Sequence, residues 1–167
     1  MRYYAPFAAT LVGVDIDPVA LEAAKKICPQ AQIFQMDLLG DWSELGEFDV
    51  IACSEVLEHL YYPERIVEKV AAHLLPNGIF IGTIPNAFFV KHRFRYLFGR
   101  YTNTPMADPT HITQFNTTRL KQVLSAVGDD IFISGYTKKP FHWIAKIFPS
   151  LFAFDLYFLA RKSSRHE

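Results

Sequence analysis

Residues 48–86 read FDVIACSEVLEHLYYPERIVEKVAAHLLPNGIFIGTIPN. The run 48–53 is apolar almost throughout, as a strand covered on both faces should be. Residues 62–75 then carry a helical pattern, and Leu75-Pro76-Asn77-Gly78 is a stop and turn signal. A second apolar run, IFIGTI, fills 79–84. Strand, helix and strand joined by short connections predict a βαβ unit with parallel strands.

The alternation continues outward. Residues 11–16 (LVGVDI) form a short buried-strand run, and Asp17-Pro18 opens a helix through about residue 28. Asp17 suits the N-cap, Pro18 the first turn, and basic residues fall late. Residues 32–35 read as a strand and 40–46 as a loop with one helical turn. Downstream, 85–113 shows no clear period, while 116–127 (NTTRLKQVLSAV) reads as a capped helix closed by Gly128. Residues 131–136 and 152–161 are the last two strands, with a short helix expected over 141–148. The predicted class is α/β: an open, mostly parallel sheet with helices on both faces and an antiparallel C-terminal edge pair. A length of 167 residues suits one domain, 1–167, with 85–113 as a substrate or lid insert.

Composition excludes some function classes. The net charge is +0, with 50% hydrophobic and 20% charged residues, so nothing global favours nucleic acid. Basic residues do cluster among aromatics at 88–101 (FFVKHRFRYLFGRY), a pattern that suits a cover over the site, an anionic or lipid-linked acceptor, or contact with a membrane surface. Cys28 and Cys53 lack metal-ligand spacing and read as reduced core residues. Residues 1–10 lack the features of a secretory signal, so a cytoplasmic location is expected. Lys146, Pro149 and Asp155 interrupt the apolar stretch 141–160 and argue against a membrane span.

In such a sheet ligands bind beyond the carboxyl ends of the strands. Asp15 closes the first strand, where a carboxylate can accept hydrogen bonds from a ribose diol. Asp37 follows the next strand, where it can accept from an adenine amino group. Cys53, Ser54 and Glu55 leave the third. If 55–59 turns helical, Glu55, Glu58 and His59 converge on one face while Val56 and Leu57 point to the core. Two carboxylates and an imidazole can bind a divalent cation, or can equally be a solvated helix start. His111, just before the capped helix, offers a fourth ligand or a general base. His59 and His111 are thus the candidate catalytic residues.

With these residues in place the chain resembles the class I S-adenosylmethionine-dependent methyltransferases of the widespread bacterial type 11 and 23 kind. The resemblance runs from about residue 11 to 162. It rests on LVGVDIDPVALEAAKK, on the 48–86 segment, and on HITQFNTTRLKQVLSAVG. It implies a Rossmann-like sheet, with Asp15 at the cofactor ribose, Ile16 and Leu38 against the adenine ring, and Asp37 at its amino group. It also implies a turn at Cys53, Ser54 and Glu55 beneath the methionine moiety. Glu-x-x-Glu-His with a later His resembles two metal-dependent O-methylating branches, those acting on polyprenyl catechols and on small-RNA termini. That likeness implies Glu55, Glu58, His59 and His111 as ligands of magnesium or manganese. It makes the acceptor an oxygen of a small-molecule, sugar or lipid-linked compound.

One element departs from the family. Its first strand and glycine-rich turn are missing, and residues 1–10 (MRYYAPFAAT) contain no glycine. The missing strand would lie between those ending at Asp15 and Cys53, leaving unpaired edges. Either the chain is truncated or residues 3–10 fill part of the gap. The alternative function is therefore a non-catalytic methyltransferase-like domain with weak or no cofactor binding. A nicotinamide-dependent oxidoreductase would need Gly-x-Gly-x-x-Gly before Asp15, and none is present.

Overall fold

A computed structural model of the chain describes residues 5–138 and 142–163, in two compact units, 1–46 and 47–167. In the first unit β1 (Val12–Asp15) pairs in parallel with β2 (Gln32–Gln35) across α1 (Pro18–Ile27). The capping reading holds, since Asp17 Oδ1 accepts the Val19 amide at 2.9 Å and Pro18 sits in the first turn. Residues 5–10 carry a 3-10 turn at Ala5–Phe7 and no strand, while residues 3 and 4 lie outside the described part.

The second unit holds a four-stranded sheet in the order β3-β4-β6-β5, made of β3 (Phe48–Ser54), β4 (Leu74–Pro85), β6 (Asp155–Arg161) and β5 (Asp130–Tyr136). β3 and β4 run parallel through α2 (Pro63–His73), the βαβ unit that the sequence predicts. β6 is antiparallel to both β4 and β5, so the antiparallel pair lies at the sheet edge, as expected. The strands thus fall into two sheets, with no ladder between β1 and β3 among the described residues.

Local chemistry explains the differences from expectation. β4 begins at Leu74 because the chain extends straight out of α2. Its pairing slips between Phe48↔Leu74 and Val50↔Ile79, and Asn77 takes a left-handed φ of 63° within that slip. The strand expected over 152–161 starts at Asp155, because α6 (Pro149–Phe152) follows α5 (His142–Ile147). Residue 141, the expected start of that short helix, lies outside the described residues. Gly82 sits opposite Cys53, whose carbonyl oxygen would lie 1.8 Å from a Cβ built there; the ladder closes only around glycine.

The segment without a clear period contains α3 (Val90–Leu97) and a 3-10 turn at Pro105–Ala107. α4 (Thr117–Leu124) follows, capped by Asn116, whose Oδ1 accepts the Arg119 amide at 2.8 Å. Leu57, Ile66, Phe80, Leu120, Leu124 and Leu156 are fully buried and fill the core of this unit. No helix among the described residues is long and apolar enough to cross a membrane.

Candidate functional site

The turn after β3 does not continue as an α-helix. Glu55 takes a left-handed φ of 54°, and only Leu57–His59 forms a 3-10 turn. Within this turn two consecutive side chains, Leu57 and Glu58, point inward. Glu58 is 1% exposed, and neither carboxylate oxygen has a hydrogen-bond partner. Burial pushes its pKa up to about 7, with the neighbouring Glu55 carboxylate adding to the effect.

A loop some fifty residues away closes over this turn. The Thr113 amide donates to the Glu58 carbonyl at 2.9 Å, and Thr113 Oγ1 donates to the Leu60 carbonyl at 2.6 Å. His59 Nδ1 lies 2.9 Å from the Thr110 carbonyl, so with its proton on Nδ1 the ring keeps a lone pair on Nε2. Asp108 shapes the loop, because its Oδ1 accepts from both the amide and the hydroxyl of Thr110. Those bonds hold the Asp108 carboxyl below the usual carboxylate range.

The loop delivers His111 edge-on to His59, with ring centroids 5.0 Å apart. His111 Nε2 is 3.8 Å from Asp108 Oδ2, and its Nδ1 is buried without a partner. Glu58, His59 and His111 each present one ligand atom, all within 4.8 Å of one another. In a set of one carboxylate oxygen and two imidazoles, the carboxylate suits manganese and the imidazoles suit iron to zinc. Glu55 lies outside that three-residue group, although its charge acts on Glu58, Cys53 and Asp155.

One member of this surrounding was missed by sequence reasoning. Asp155 has its pKa raised to about 6 by burial and by Glu55. It falls inside the run expected as strand 152–161, so nothing in its spacing flags it. Cys53 is pushed up to about 12 by burial and by Glu58 and Glu55, which keeps the thiol protonated and unsuited to nucleophilic work. Ser54 ends β3, exposed.

In the first unit Asp15 ends β1 and accepts the Asp17 amide on Oδ1 at 2.9 Å. Asp37 accepts the Leu39 amide on Oδ1 at 2.9 Å. The register puts Asp15 opposite Gln35, so both acids leave the same end of a parallel pair. Each keeps its second carboxylate oxygen free of any hydrogen bond among the described residues. Ile16 is exposed and Leu38 half-buried.

The sequence matches the family described as "Methyltransferase domain" over residues 1–131. The chain belongs to that family. This methyltransferase domain is similar to the ubiquinone biosynthesis O-methyltransferase of Coxiella burnetii, with 30% identity over 112 residues, 64% of this chain and 47% of that protein. It spans about half the length of the curated relatives it matches.

Among solved structures, the SAM dependent methyltransferase from Archaeoglobus fulgidus superposes with a TM-score of 0.61 at 17% identity, covering 90% of this chain and 75% of that one. The N-methyltransferase NodS from Bradyrhizobium japonicum, in complex with S-adenosyl-l-homocysteine, gives 0.62 at 15% identity, covering 96% and 70%. The fold of this methyltransferase domain is therefore the Rossmann-like one that the resemblance implies.

Proposed function

We propose that this domain transfers a methyl group from S-adenosylmethionine to an oxygen of a small-molecule, sugar or lipid-linked acceptor, in the cytoplasm, with a divalent cation held by Glu58, His59 and His111. The observation that carries the reading is Glu58, a buried carboxylate with no hydrogen-bond partner, beside two imidazoles, the nearer with its Nε2 4.0 Å from Glu58 Oε1. A buried charge needs a counter-charge, and no lysine or arginine forms an ion pair with it among the described residues. The relatives named as O-methyltransferases favour oxygen as the acceptor atom. A bound cation lowers the pKa of an acceptor hydroxyl, and the sulfonium of the cofactor supplies an already activated methyl group.

The residues of the chain do the positioning. The Thr110 carbonyl fixes the tautomer of His59, leaving Nε2 as the ligand atom. Asp108 orients His111, whose unpartnered Nδ1 is the atom free to bind the ion or take the hydroxyl proton. Glu55 contributes charge beside the site and serves as a fourth ligand if its carboxylate turns inward. For the cofactor, Asp15 takes the ribose hydroxyls and Asp37 the adenine amino group, each through its free oxygen. Ile16 and Leu38 supply apolar contact to the ring, and the backbone of Cys53, Ser54 and Glu55 serves the methionine end. Segment 85–113 covers the acceptor.

Calorimetric titration of the 167-residue chain with S-adenosylhomocysteine, with and without manganese, tests this reading. Saturable heat that strengthens with manganese is the expected result. No heat at millimolar ligand in either arm would overturn it in favour of a non-catalytic domain.

A further inference from the structure

The exposed side of α3 is built the wrong way round for a helix that merely covers a core. Phe94 and Leu97 share one side of α3, Phe98 and Tyr101 follow in the turn beyond it, and the four are 62%, 75%, 74% and 59% exposed. The opposite face is the one tied down. His92 is buried against Phe89, Phe154 and Tyr96, and the Tyr96 hydroxyl donates to the Ala87 carbonyl at 2.9 Å.

Around the apolar stripe stand Lys91, Arg93, Arg95 and Arg100, none of which forms an ion pair among the described residues. No acidic residue occurs between positions 86 and 107, in a chain whose net charge is +0. Phe94, Arg95, Phe98 and Arg100 line an open recess of about 480 Å³; Arg95 Nη2 donates to Thr102 Oγ1 at 3.2 Å, and its Nε is buried without a hydrogen-bond partner.

We infer that α3 and the following turn seat this domain on an anionic phospholipid bilayer. The aromatic stripe enters the interface, the cations lie at the level of the phosphates, and one lipid phosphate occupies the recess between Arg95 and Arg100. Each half of the arrangement calls for the same surface. Exposed apolar rings gain by leaving water, while cations beside them need anions within reach. A bilayer interface offers both at adjacent depths, and long basic side chains reach the headgroups from a helix lying in the plane. A protein groove that took the stripe would have to supply four counter-charges as well. Binding requires neither cofactor nor cation, so it stands or falls separately from the methyl-transfer reading.

Co-sedimentation of the 167-residue chain with vesicles decides the matter. One vesicle set is an equal mixture of phosphatidylglycerol and phosphatidylcholine, and the other is phosphatidylcholine alone. The chain pellets with the anionic set, and pelleting weakens as salt is raised. Each cation removed lowers the partition coefficient about fivefold, so Lys91→Glu with Arg100→Glu lowers it at least twenty-five-fold. Phe94→Ser with Phe98→Ser lowers it about tenfold with every charge intact. All four positions are exposed, and unchanged circular dichroism establishes that the variants fold.

Three results would overturn the inference. The first is no pelleting with anionic vesicles at low salt. The second is pelleting that both double variants leave unchanged. The third is a stable dimer in vesicle-free solution that the serine variant dissociates, which would make the stripe an interface between copies.

Discussion

Glu58→Gln makes the cation-free chain more stable than the parent at pH 8, and addition of manganese reverses that order. The parent carries a buried carboxylate whose oxygens meet no donor, and its pKa is raised to about 7 from an ordinary value of 4.5. Between those two values the folded state binds more protons than the unfolded one, so parental stability falls as pH rises through that window and levels off above about 7. Full expression of the shift is worth roughly 3 kcal/mol, and the unsatisfied amide of glutamine leaves a net gain of roughly 2 kcal/mol. Below pH 4.5 both chains carry a neutral side chain and the advantage shrinks. With manganese at a hundred times its dissociation constant the parent gains about 2.7 kcal/mol, whereas the variant, short of a ligand, gains little. Urea unfolding midpoints at pH 5 and pH 8, with and without manganese, read all four terms. A variant no more stable at pH 8, together with a parent indifferent to manganese, would remove the case for a cation at this turn.

Asn86→Asp costs the fold about 4 kcal/mol at pH 7, although it changes a single amide group into a carboxyl. Asn86 is fully buried where β4 ends. Its Nδ2 stands within hydrogen-bond distance of the carbonyls of Pro149 (3.2 Å), Ser150 (3.2 Å) and Ala153 (2.9 Å), and its Oδ1 accepts the Phe88 amide at 3.1 Å. Aspartate keeps the last bond and turns the others into repulsion between acceptors, and the buried Ala153 carbonyl loses its 2.9 Å donor, while the Pro149 carbonyl keeps the Ala153 amide. The Asn86 carbonyl also lies 3.3 Å from His92 Nδ1, so the base of α3 loosens with it. Acid weakens parent and variant alike through a neighbouring group. Burial holds the pKa of His92 below its usual 6.5, so the folded state resists protonation there, and stability present above pH 6.5 drains as pH falls. Denaturant midpoints for parent and variant at pH 7.5 and 5.5 measure both effects. A loss below 1 kcal/mol at pH 7.5 would show that the Ala153 carbonyl finds another donor.

The regular elements were legible because their punctuation is local. Asp17 with Pro18, Asn116 with the Arg119 amide, and the Leu-x-Pro-x-Gly stop all act within one turn of chain. α3 was not legible, for a physical reason. Apolar residues cover both its buried and its exposed sides, so the contrast that reveals a helical period is lost. The site was legible as a set of residue types and only partly as geometry. An α-helical reading of 55–59 places Glu55, Glu58 and His59 on one exposed face, whereas the left-handed residue and the 3-10 turn bury Glu58 and leave Glu55 beside the three-residue group. The pairing of Thr110 and Thr113 with this turn joins residues more than fifty apart, and no sequence period encodes such a contact.

Glu55 carries a consequence for how this lineage can change. A left-handed glutamate is strained by about 1–2 kcal/mol, and glycine at the same place would relax it at once. Random substitution therefore has a standing incentive to drift this position to glycine, and only selection for the carboxylate opposes it. Relatives that retain Glu58 and both histidines should hold an acid at this point, and those that have lost the triad should have let it go. A single residue thus keeps a record, readable in descendants, of whether the chemistry next to it is still in use.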